Sequence, residues 1–203
     1  KEILDEMNEQ DIAELFMELE ERDLTLIYRL LNKELAAEVF VNMEPEYQEQ
    51  LIRAFSDSEL REVLDELYVD DAVDLIEEMP STLVKRILKH TDPETRKSIN
   101  EILKYPEDSA GSIMTIEYVS LRPTMTVDDA FERIRRTAID KETIYTCYVV
   151  DETNQILGLV TAKDLMLAPK SALISDVMAE NVIYAYTEDD KEEVARTISD
   201  YGF

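Results

Sequence analysis

The sequence predicts a multi-domain protein in which an all-α array of short helices precedes an α/β region whose second unit is incomplete. The three glycines, Gly111, Gly158 and Gly202, all lie beyond residue 110. The long glycine-free stretch before them is rich in Leu, Glu and Ala, a composition that favours helix after helix. From Tyr118 onward the sequence contains runs of β-branched and aromatic residues, which are typical of strands.

The predicted helices of the first region repeat about every 12 residues. Each repeat opens with a polar residue and continues with an apolar core. Helices of about eight or nine residues are too short to be stable alone, so stacked neighbours must bury one continuous core, as in a helical superhelix. The predicted starts lie near Asp11, Asp23, Lys33, Glu46, Ser58, Asp70, Ser81 and Asp92.

Pro106 and Gly111 mark the transition to the α/β region. Strands are predicted at 118–121, 143–150 and 156–160, with a hairpin turn at 151–155 and a helix opened by Thr126. A weak second copy of this pattern includes a predicted strand at 182–186 and a helix after 187–190. Because the second copy stops at Phe203 before its strand pair, we expect the natural protein to continue beyond this chain.

The charge of the chain is strongly unbalanced. Asp and Glu number 47 against 21 Lys and Arg, for a formal net charge of −26. Such a field repels nucleic acid and anionic membrane surfaces, so no nucleic-acid partner is expected. The natural partner of such an acidic chain is a hard cation that binds oxygen ligands, Mg²⁺ or Ca²⁺. Composition alone favours the alternative that the acidic residues only keep the protein soluble.

Several functional classes find no support in the sequence. The single cysteine, Cys147, excludes an internal disulfide, and with the single histidine, His90, it cannot complete a zinc site. We expect both to be structural. No apolar run reaches the roughly 18 residues that span a bilayer. No P-loop, Gly-x-Ser-x-Gly or His-Glu-x-x-His motif occurs, so we do not expect an enzyme.

Residues 113–115, 126–130, 148–151 and 158–165 resemble a tandem cystathionine-β-synthase (CBS) pair. Together with the glycine-free helical array and the segments 70–80, 105–115 and 142–145, they resemble the cytosolic part of the MgtE family of magnesium transporters. The resemblance implies an N-terminal superhelix domain over 1–107, a first CBS domain over 108–170 and the start of a second, truncated CBS domain over 171–203.

The resemblance also implies a mechanism. Members of the family are homodimeric, with the N domain and CBS pair at the cytoplasmic face of the membrane, below a transmembrane domain that is absent from this chain. Mg²⁺ bridges the acidic surfaces of the N and CBS domains and across the dimer. The compact form closes the pore, and the acidic surfaces repel one another when Mg²⁺ is scarce.

Five acidic residues are the candidate Mg²⁺ contacts. Asp70 and Asp74, four residues apart, share one face of a predicted helix, where a cation would relieve their repulsion. Asp70 could instead be an N-cap, and Asp74 could instead complement the helix dipole. The family motif is what favours metal contact for both. Glu38 matches a family position by count, with a solvated helix face as its alternative. Asp190 and Glu192 align with family positions facing the N domain, and Asp190 could instead be the fourth residue of a capping box.

A second ligand class remains open at Gly158, Thr161 and Asp164. In nucleotide-binding CBS domains the threonine and aspartate hold a ribose, so ATP is a possible ligand. The alternative is that glycine serves a turn while threonine and aspartate cap the last helix. A nucleotide-sensing CBS module with a helical docking scaffold, and a purely structural helical adaptor, are the rival functions.

Overall fold

The computed structural model of the chain describes residues 3–202, so Phe203 lies outside it, and divides the chain into two compact units, Lys1–Tyr105 and Pro106–Phe203. In the described part, the first unit holds eight α-helices after a short 3-10 helix at Leu4–Glu6. They are α1 (Glu9–Met17), α2 (Glu21–Tyr28), α3 (Lys33–Val41), α4 (Pro45–Ala54), α5 (Asp57–Leu64), α6 (Val69–Glu78), α7 (Ser81–His90) and α8 (Pro93–Ile102). Each predicted start lies within two residues of an observed one, which confirms the short-helix repeat.

The eight helices pack in two rows. Helix α1 contacts α3, α3 contacts α5 and α5 contacts α7, while α2 contacts α4 and α6 contacts α8. In these five pairs a helix packs on the helix two further along, which is how a repeat of short amphipathic helices buries a continuous core. The largest fully buried side chains of this unit are Ile12, Phe16, Leu24, Phe40, Leu51, Ile52, Leu60, Ile87, Ile99 and Ile102.

At α1, α3, α5 and α8, a polar N-cap side chain accepts a hydrogen bond from a backbone N–H that has no partner within the helix. The carboxylate of Asp92 accepts from the backbone N–H of Glu94 at 2.8 Å. Ser56 and Glu59 form a reciprocal capping box at the start of α5. Pro45 and Pro93 occupy first helical positions, where their missing N–H is not needed.

An arginine from a later repeat donates hydrogen bonds to backbone carbonyls at the end of α4. Arg86 of α7 donates through Nη1 to the carbonyl of Ile52 at 2.6 Å and through Nη2 to that of Phe55 at 2.7 Å. Its guanidinium also lies 3.1 Å from the Asp57 carboxylate. These bonds join residues 31 and 34 positions apart to one helix terminus, so Arg86 ties α7 to the end of α4 and the start of α5.

The second unit contains a small sheet with helices around it. Its elements are β1 (Val119–Leu121), α9 (Val127–Thr137), β2 (Thr146–Val150), β3 (Ile156–Thr161), α10 (Ala162–Leu167), α11 (Ile174–Val177) and α12 (Lys191–Tyr201), with 3-10 helices at Ala110–Ser112 and Ala138–Asp140. The strand order is β1-β2-β3. Strand β1 is parallel to β2, with Val119 opposite Cys147, and β2 is antiparallel to β3, with Thr146 opposite Thr161.

The core of the second unit lies between the sheet and its helices. Its buried members are Val119, Leu121, Val127, Ala130, Ile134, Cys147, Val149, Val160, Leu165 and Ile174. Thr126 and Asp129 form the predicted capping box at the start of α9. The predicted hairpin turn is also present, since the carboxylate of Asp151 accepts from the backbone N–H groups of Thr153 and Gln155. The α/β prediction for this half is therefore confirmed.

The predicted strand at 182–186 is wrong. The structure assigns no strand there, and its side chains are mostly exposed. The backbone N–H of Tyr186 donates to the Asp189 carboxylate at 2.8 Å rather than to a neighbouring strand. A β-branched and aromatic run favours a strand only where another strand can pair with it, and among the described residues none does so here.

Helix α12 differs from the helices of the first unit because none of its residues is buried. Its start is capped by the carboxylate of Asp190, which accepts from the N–H groups of Glu192 and Glu193 at 2.9 and 3.1 Å. Its end is Gly202, with a φ of 73°, a left-handed conformation that glycine adopts without steric cost. Helix α12 is thus satisfied at both ends while its apolar residues remain exposed.

Candidate functional site

Helix α6 presents its acidic residues opposite a buried apolar face. Val69, Ala72, Val73, Leu75 and Ile76 are buried. Asp70 is half-buried and Asp74 exposed. The N-cap position of α6 is Tyr68, so the alternative interpretation of Asp70 as an N-cap is wrong. Asp70 and Asp71 lie in the first turn, where negative charge complements the helix dipole.

A cavity of about 170 Å³ lies beside α6 and includes Asp74 but not Asp70. Its acidic lining residues are Asp71, Asp74 and Glu78. Its apolar wall comes from Leu75 of α6 and from the end of α3 and the start of α4, where buried Gln48 donates to the carbonyl of Phe40 at 2.9 Å. The wall residues are Phe40, Val41, Met43, Pro45 and Leu75.

The predicted pair of Asp70 and Asp74 missed two carboxylates of this cavity. Asp71, Asp74 and Glu78 stand three and four residues apart, which is the spacing of one helix face. That spacing was readable in the sequence. Within residues 3–202, no group of three or more His, Cys, Asp or Glu side chains is close enough to enclose a bare metal ion.

Glu38 lies elsewhere in the first unit. It is exposed on α3 and is not among the residues that line the α6 cavity. Its backbone carbonyl accepts a hydrogen bond from the Asn42 side chain at 2.8 Å. The structure therefore does not bring Glu38 into one site with Asp74, and its metal contact stays a prediction.

Asp190 and Glu192 are both exposed in the second unit, and each already has a role within α12. Asp190 is the N-cap residue, whereas the sequence had suggested the fourth residue of a capping box. Glu192 pairs with Arg196 one turn later, at 3.4 Å. One Asp190 oxygen is thus engaged by the helix, and both carboxylates remain open to solvent on their other sides. Their metal contact stays a prediction.

Gly158, Thr161 and Asp164 have a structural explanation, although the predicted turn role of Gly158 is wrong because this residue lies within β3. A Cβ on Gly158 would lie 2.7 Å from the carbonyl oxygen of Ala179, so a side chain does not fit there. Thr161 donates from Oγ1 to Asp164 at 2.5 Å, and the two residues form the capping box of α10. These hydrogen bonds from Thr161, side chain first and backbone second, lower the pKa of the Asp164 carboxyl.

His90 and Cys147 occupy structural positions. His90 is buried at the end of α7, with Nε2 3.3 Å from the Asp57 carboxylate. Cys147 is fully buried in β2, and burial raises the pKa of its thiol to about 11. Neither group is placed for nucleophilic chemistry, which needs an accessible thiolate or a histidine facing a substrate.

The described residues thus form an array of short helices followed by a small α/β unit, and both carry an excess of acidic residues. Residues 7–108 match the family described as MgtE intracellular N domain, and residues 110–171 match the CBS domain. The chain belongs to the MgtE family.

Relatives and solved structures agree with this assignment. The chain is 37% identical over its whole length to the magnesium transporter MgtE of Thermus thermophilus, covering 46% of that protein. It is 29% identical to MgtE of Bacillus subtilis over 99% of the chain and 45% of that protein. A crystal structure of the cytosolic domain of the Mg²⁺ channel MgtE in complex with ATP matches 100% of the chain and 83% of its own length, with a TM-score of 0.93 and 37% identity.

The chain spans about half the length of these two full-length relatives. None of the helices described over residues 3–202 combines the length and apolar character that crossing a membrane requires. What the chain itself contains is the family's N domain followed by a CBS region.

Proposed function

We propose that this chain is the Mg²⁺-sensing regulatory region of a magnesium transporter, at the cytoplasmic face of the membrane, and that it has no enzymatic activity. Mg²⁺ binds between acidic surfaces of the N and CBS units and across a homodimer formed through the CBS regions. Binding compacts the dimer and closes a pore that lies outside this chain. When Mg²⁺ is scarce, the carboxylates repel one another and the pore is released.

The observation that carries this proposal is the acidic excess on both units of a chain of this family. Residues 1–105 hold 28 acidic and 12 basic residues, a net charge of −16. Residues 106–203 hold 19 acidic and 9 basic residues, a net charge of −10. Two bodies of like charge approach one another at a cost that bound divalent cations offset. The exposed carboxylates of Asp74, Asp190 and Glu192 are the candidate contacts for these cations.

Weak sites suffice for such a switch. A site filled at ten times its dissociation constant stabilises the bound form by about 1.4 kcal/mol. Four such sites contribute about 6 kcal/mol, enough to turn a 1:99 population into 99:1. The three carboxylates that line the cavity beside α6 would make one site of this kind, with Mg²⁺ keeping several of its waters.

The test is the radius of gyration by small-angle scattering, with 0 and 10 mM MgCl₂ at matched ionic strength. We expect Mg²⁺ to reduce it. Asp70→Asn and Asp74→Asn should each weaken the response, with Asp74→Asn the stronger because Asp74 is exposed and lines the cavity. Glu14→Gln, which removes the same charge from an exposed position on α1, is the control. An equal response in wild type and both aspartate variants would contradict this placement.

A second candidate function is adenine-nucleotide sensing, because a solved relative is described in complex with ATP. Thr161 and Asp164 would contact the ribose while they cap α10. The capping box and the tight packing at Gly158 explain these residues without a nucleotide. Calorimetric titration with ATP decides the matter. Saturable binding that Asp164→Asn weakens would support it, and compaction by ATP without any effect of Mg²⁺ would favour it over the cation sensor.

A further inference from the structure

The segment that enters the second unit is bonded to the residues that precede α12. The N–H of Ala110 donates to the carbonyl of Asp189 and the N–H of Gly111 to that of Thr187, each at 2.8 Å. In return the N–H of Lys191 donates to the carbonyl of Asp108 at 2.9 Å. We refer to this pairing of residues 107–112 with residues 187–191 as the latch. It joins the chain leaving the helical array directly to the first turn of α12.

Lys191 contributes both its backbone and its charged side chain to the latch. Its Nζ donates to the carbonyl of Glu107 at 2.9 Å and lies 3.9 Å from the Asp108 carboxylate. The side chain is 35% exposed, whereas that of Asp108 is 89% exposed. The aliphatic part of the lysine side chain therefore packs against the protein, and its ammonium lies next to residues 107 and 108.

The position of this ammonium is unusual for a helix. Lys191 is the first residue of α12, where the helix dipole disfavours positive charge. The residues on either side of it are Asp190 and Glu192, two of the predicted Mg²⁺ contacts. Residues 188–193 hold five carboxylates and this one ammonium, and charges in such a solvated segment interact over a Debye length of about 8 Å at physiological ionic strength. The ammonium thus lowers the negative potential at the place where a divalent cation is proposed to bind.

We propose that Lys191 is a built-in counter-ion of this acidic surface and a positioning residue for the linker. Without Mg²⁺, its ammonium partly neutralises the carboxylates at the start of α12 and holds residues 107–108. It thereby sets the Mg²⁺ concentration at which a divalent cation replaces the ammonium as the counter-ion of these carboxylates. The counter-ion part of this inference rests on the proposed function, and the latch part does not.

The two roles predict opposite effects of one substitution. Lys191→Gln removes the charged donor to Glu107, so the latch should open more often. The same change removes a positive charge beside Asp190 and Glu192, so Mg²⁺ should bind more tightly. A lysine with only a structural role would loosen the latch without tightening cation binding. Lys191→Arg, which keeps the charge, should retain the Mg²⁺ midpoint.

The experiment is amide hydrogen exchange of the whole chain, read at Ala110 and Gly111, together with calorimetric titration by MgCl₂ at constant ionic strength. We expect Lys191→Gln to speed exchange at these two amides about threefold to tenfold, the effect of losing one hydrogen bond to the latch. We expect its Mg²⁺ midpoint to fall about threefold, the effect of one nearby charge in a solvated site. Lys170→Gln is the matched control, because Lys170 pairs with Asp128 at 3.0 Å elsewhere in the same unit.

Unchanged exchange at Ala110 and Gly111 in Lys191→Gln would overturn the latch role. An unchanged or raised Mg²⁺ midpoint in the same variant would overturn the counter-ion role. A wild-type chain with no response to MgCl₂ would contradict the proposed function and the counter-ion role together. The exchange comparison in Mg²⁺-free buffer would still decide the latch in that case.

Discussion

The helices of the array and helix α12 have similar lengths and amphipathic sequences, yet different parts of the molecule hold them in place. Each of α1 to α8 buries between two and five residues. Helix α12 is 11 residues long and buries none. In the array, helices are held along their sides by others, most often by the helix two positions away in the chain. Helix α12 is held at its ends, by the Asp190 cap, the latch and the left-handed Gly202.

This difference shows that an amphipathic pattern predicts a helix but not what covers it. Ile198 and Tyr201 of α12 are 45% and 63% exposed, although their spacing is that of a buried stripe. Stability in the array is therefore shared among neighbours, whereas stability of α12 is local. The same kind of substitution should act globally in the first region and locally in the second.

The largest expected effect comes from the core of the array. Phe16→Ala removes a fully buried ring and should lower the free energy of unfolding of the first unit by about 3–5 kcal/mol. Ile198→Ala in α12 should cost less than about 0.5 kcal/mol, because its side chain is nearly half exposed. Urea unfolding of both variants, followed by circular dichroism, measures the difference. Equal losses of unfolding free energy in the two variants would contradict the distinction between the array and α12.

The next effect concerns the arginine that ties three helices of the array. Arg86→Met removes the charged donors to Ile52 and Phe55 and should lower the free energy of unfolding by about 2–3 kcal/mol. Arg53→Met is the control, since Arg53 makes an exposed pair with Glu49 one turn away and should change stability by under about 1 kcal/mol. Urea midpoints at constant slope give both values, and a loss no larger than that of the control would contradict the capping role of Arg86.

The same cap can be removed from each region. Ser56→Ala at α5 and Asp190→Ala at α12 each delete an N-cap worth about 1 kcal/mol. Ser56→Ala should lower the global free energy of unfolding by that amount. Asp190→Ala should leave global unfolding unchanged and speed amide exchange within α12 about fivefold, which is the same energy expressed locally. Exchange that rises across the whole second unit would show that α12 is coupled to its core.

The smallest effect is a pH dependence confined to the array. The Arg29 guanidinium, followed by the backbone N–H of Ser56, holds the pKa of the Glu59 carboxyl at about 2, below its ordinary value near 4.5. Because protonation is easier in the unfolded chain, this pair stabilises the fold above about pH 4.5 and the contribution disappears as pH falls toward 2. The partly exposed pair contributes at most about 1 kcal/mol.

Urea unfolding between pH 6 and pH 2.5 measures this contribution. Glu59→Gln should flatten the pH dependence by that amount, whereas Glu192→Gln, which breaks a highly exposed pair in α12, should leave it unchanged. Wild type and Glu59→Gln with parallel pH profiles would contradict the assignment.

Local signals in the sequence predicted most of the fold. The helix starts, the three strands of the sheet and the capping box at Thr126 depend on residues a few positions apart, and all are present. The strand predicted at 182–186 failed because pairing depends on a partner that propensity does not reveal. The latch and the Arg86 caps join residues about 30 to 80 positions apart, so no local pattern could have indicated them.

The candidate site was predicted less completely than the fold. Asp74 was predicted and does line a cavity, but its cavity neighbours are Asp71 and Glu78 rather than Asp70. Their helical spacing was available, whereas the burial of Asp70 depends on packing around α6. Asp190 was assigned to the wrong position at the start of α12, as the fourth residue of a capping box instead of the N-cap. An acidic residue suits both positions, so the sequence separates them only when the first helical residue is known. The domain limits at 107 and 170 and the metal contacts themselves stay predictions.

The burial of Cys147 has a practical consequence for testing the proposed Mg²⁺ response. It is the single cysteine of the chain, its side chain is inaccessible, and its thiol remains protonated at neutral pH. The native fold therefore offers no reactive thiol to maleimide dyes or nitroxide spin labels. One cysteine introduced on an exposed helix of each unit, for example at Glu34 and Ser199, would carry the labels selectively. Inter-label distances could then be followed as MgCl₂ is titrated, without first removing a native cysteine.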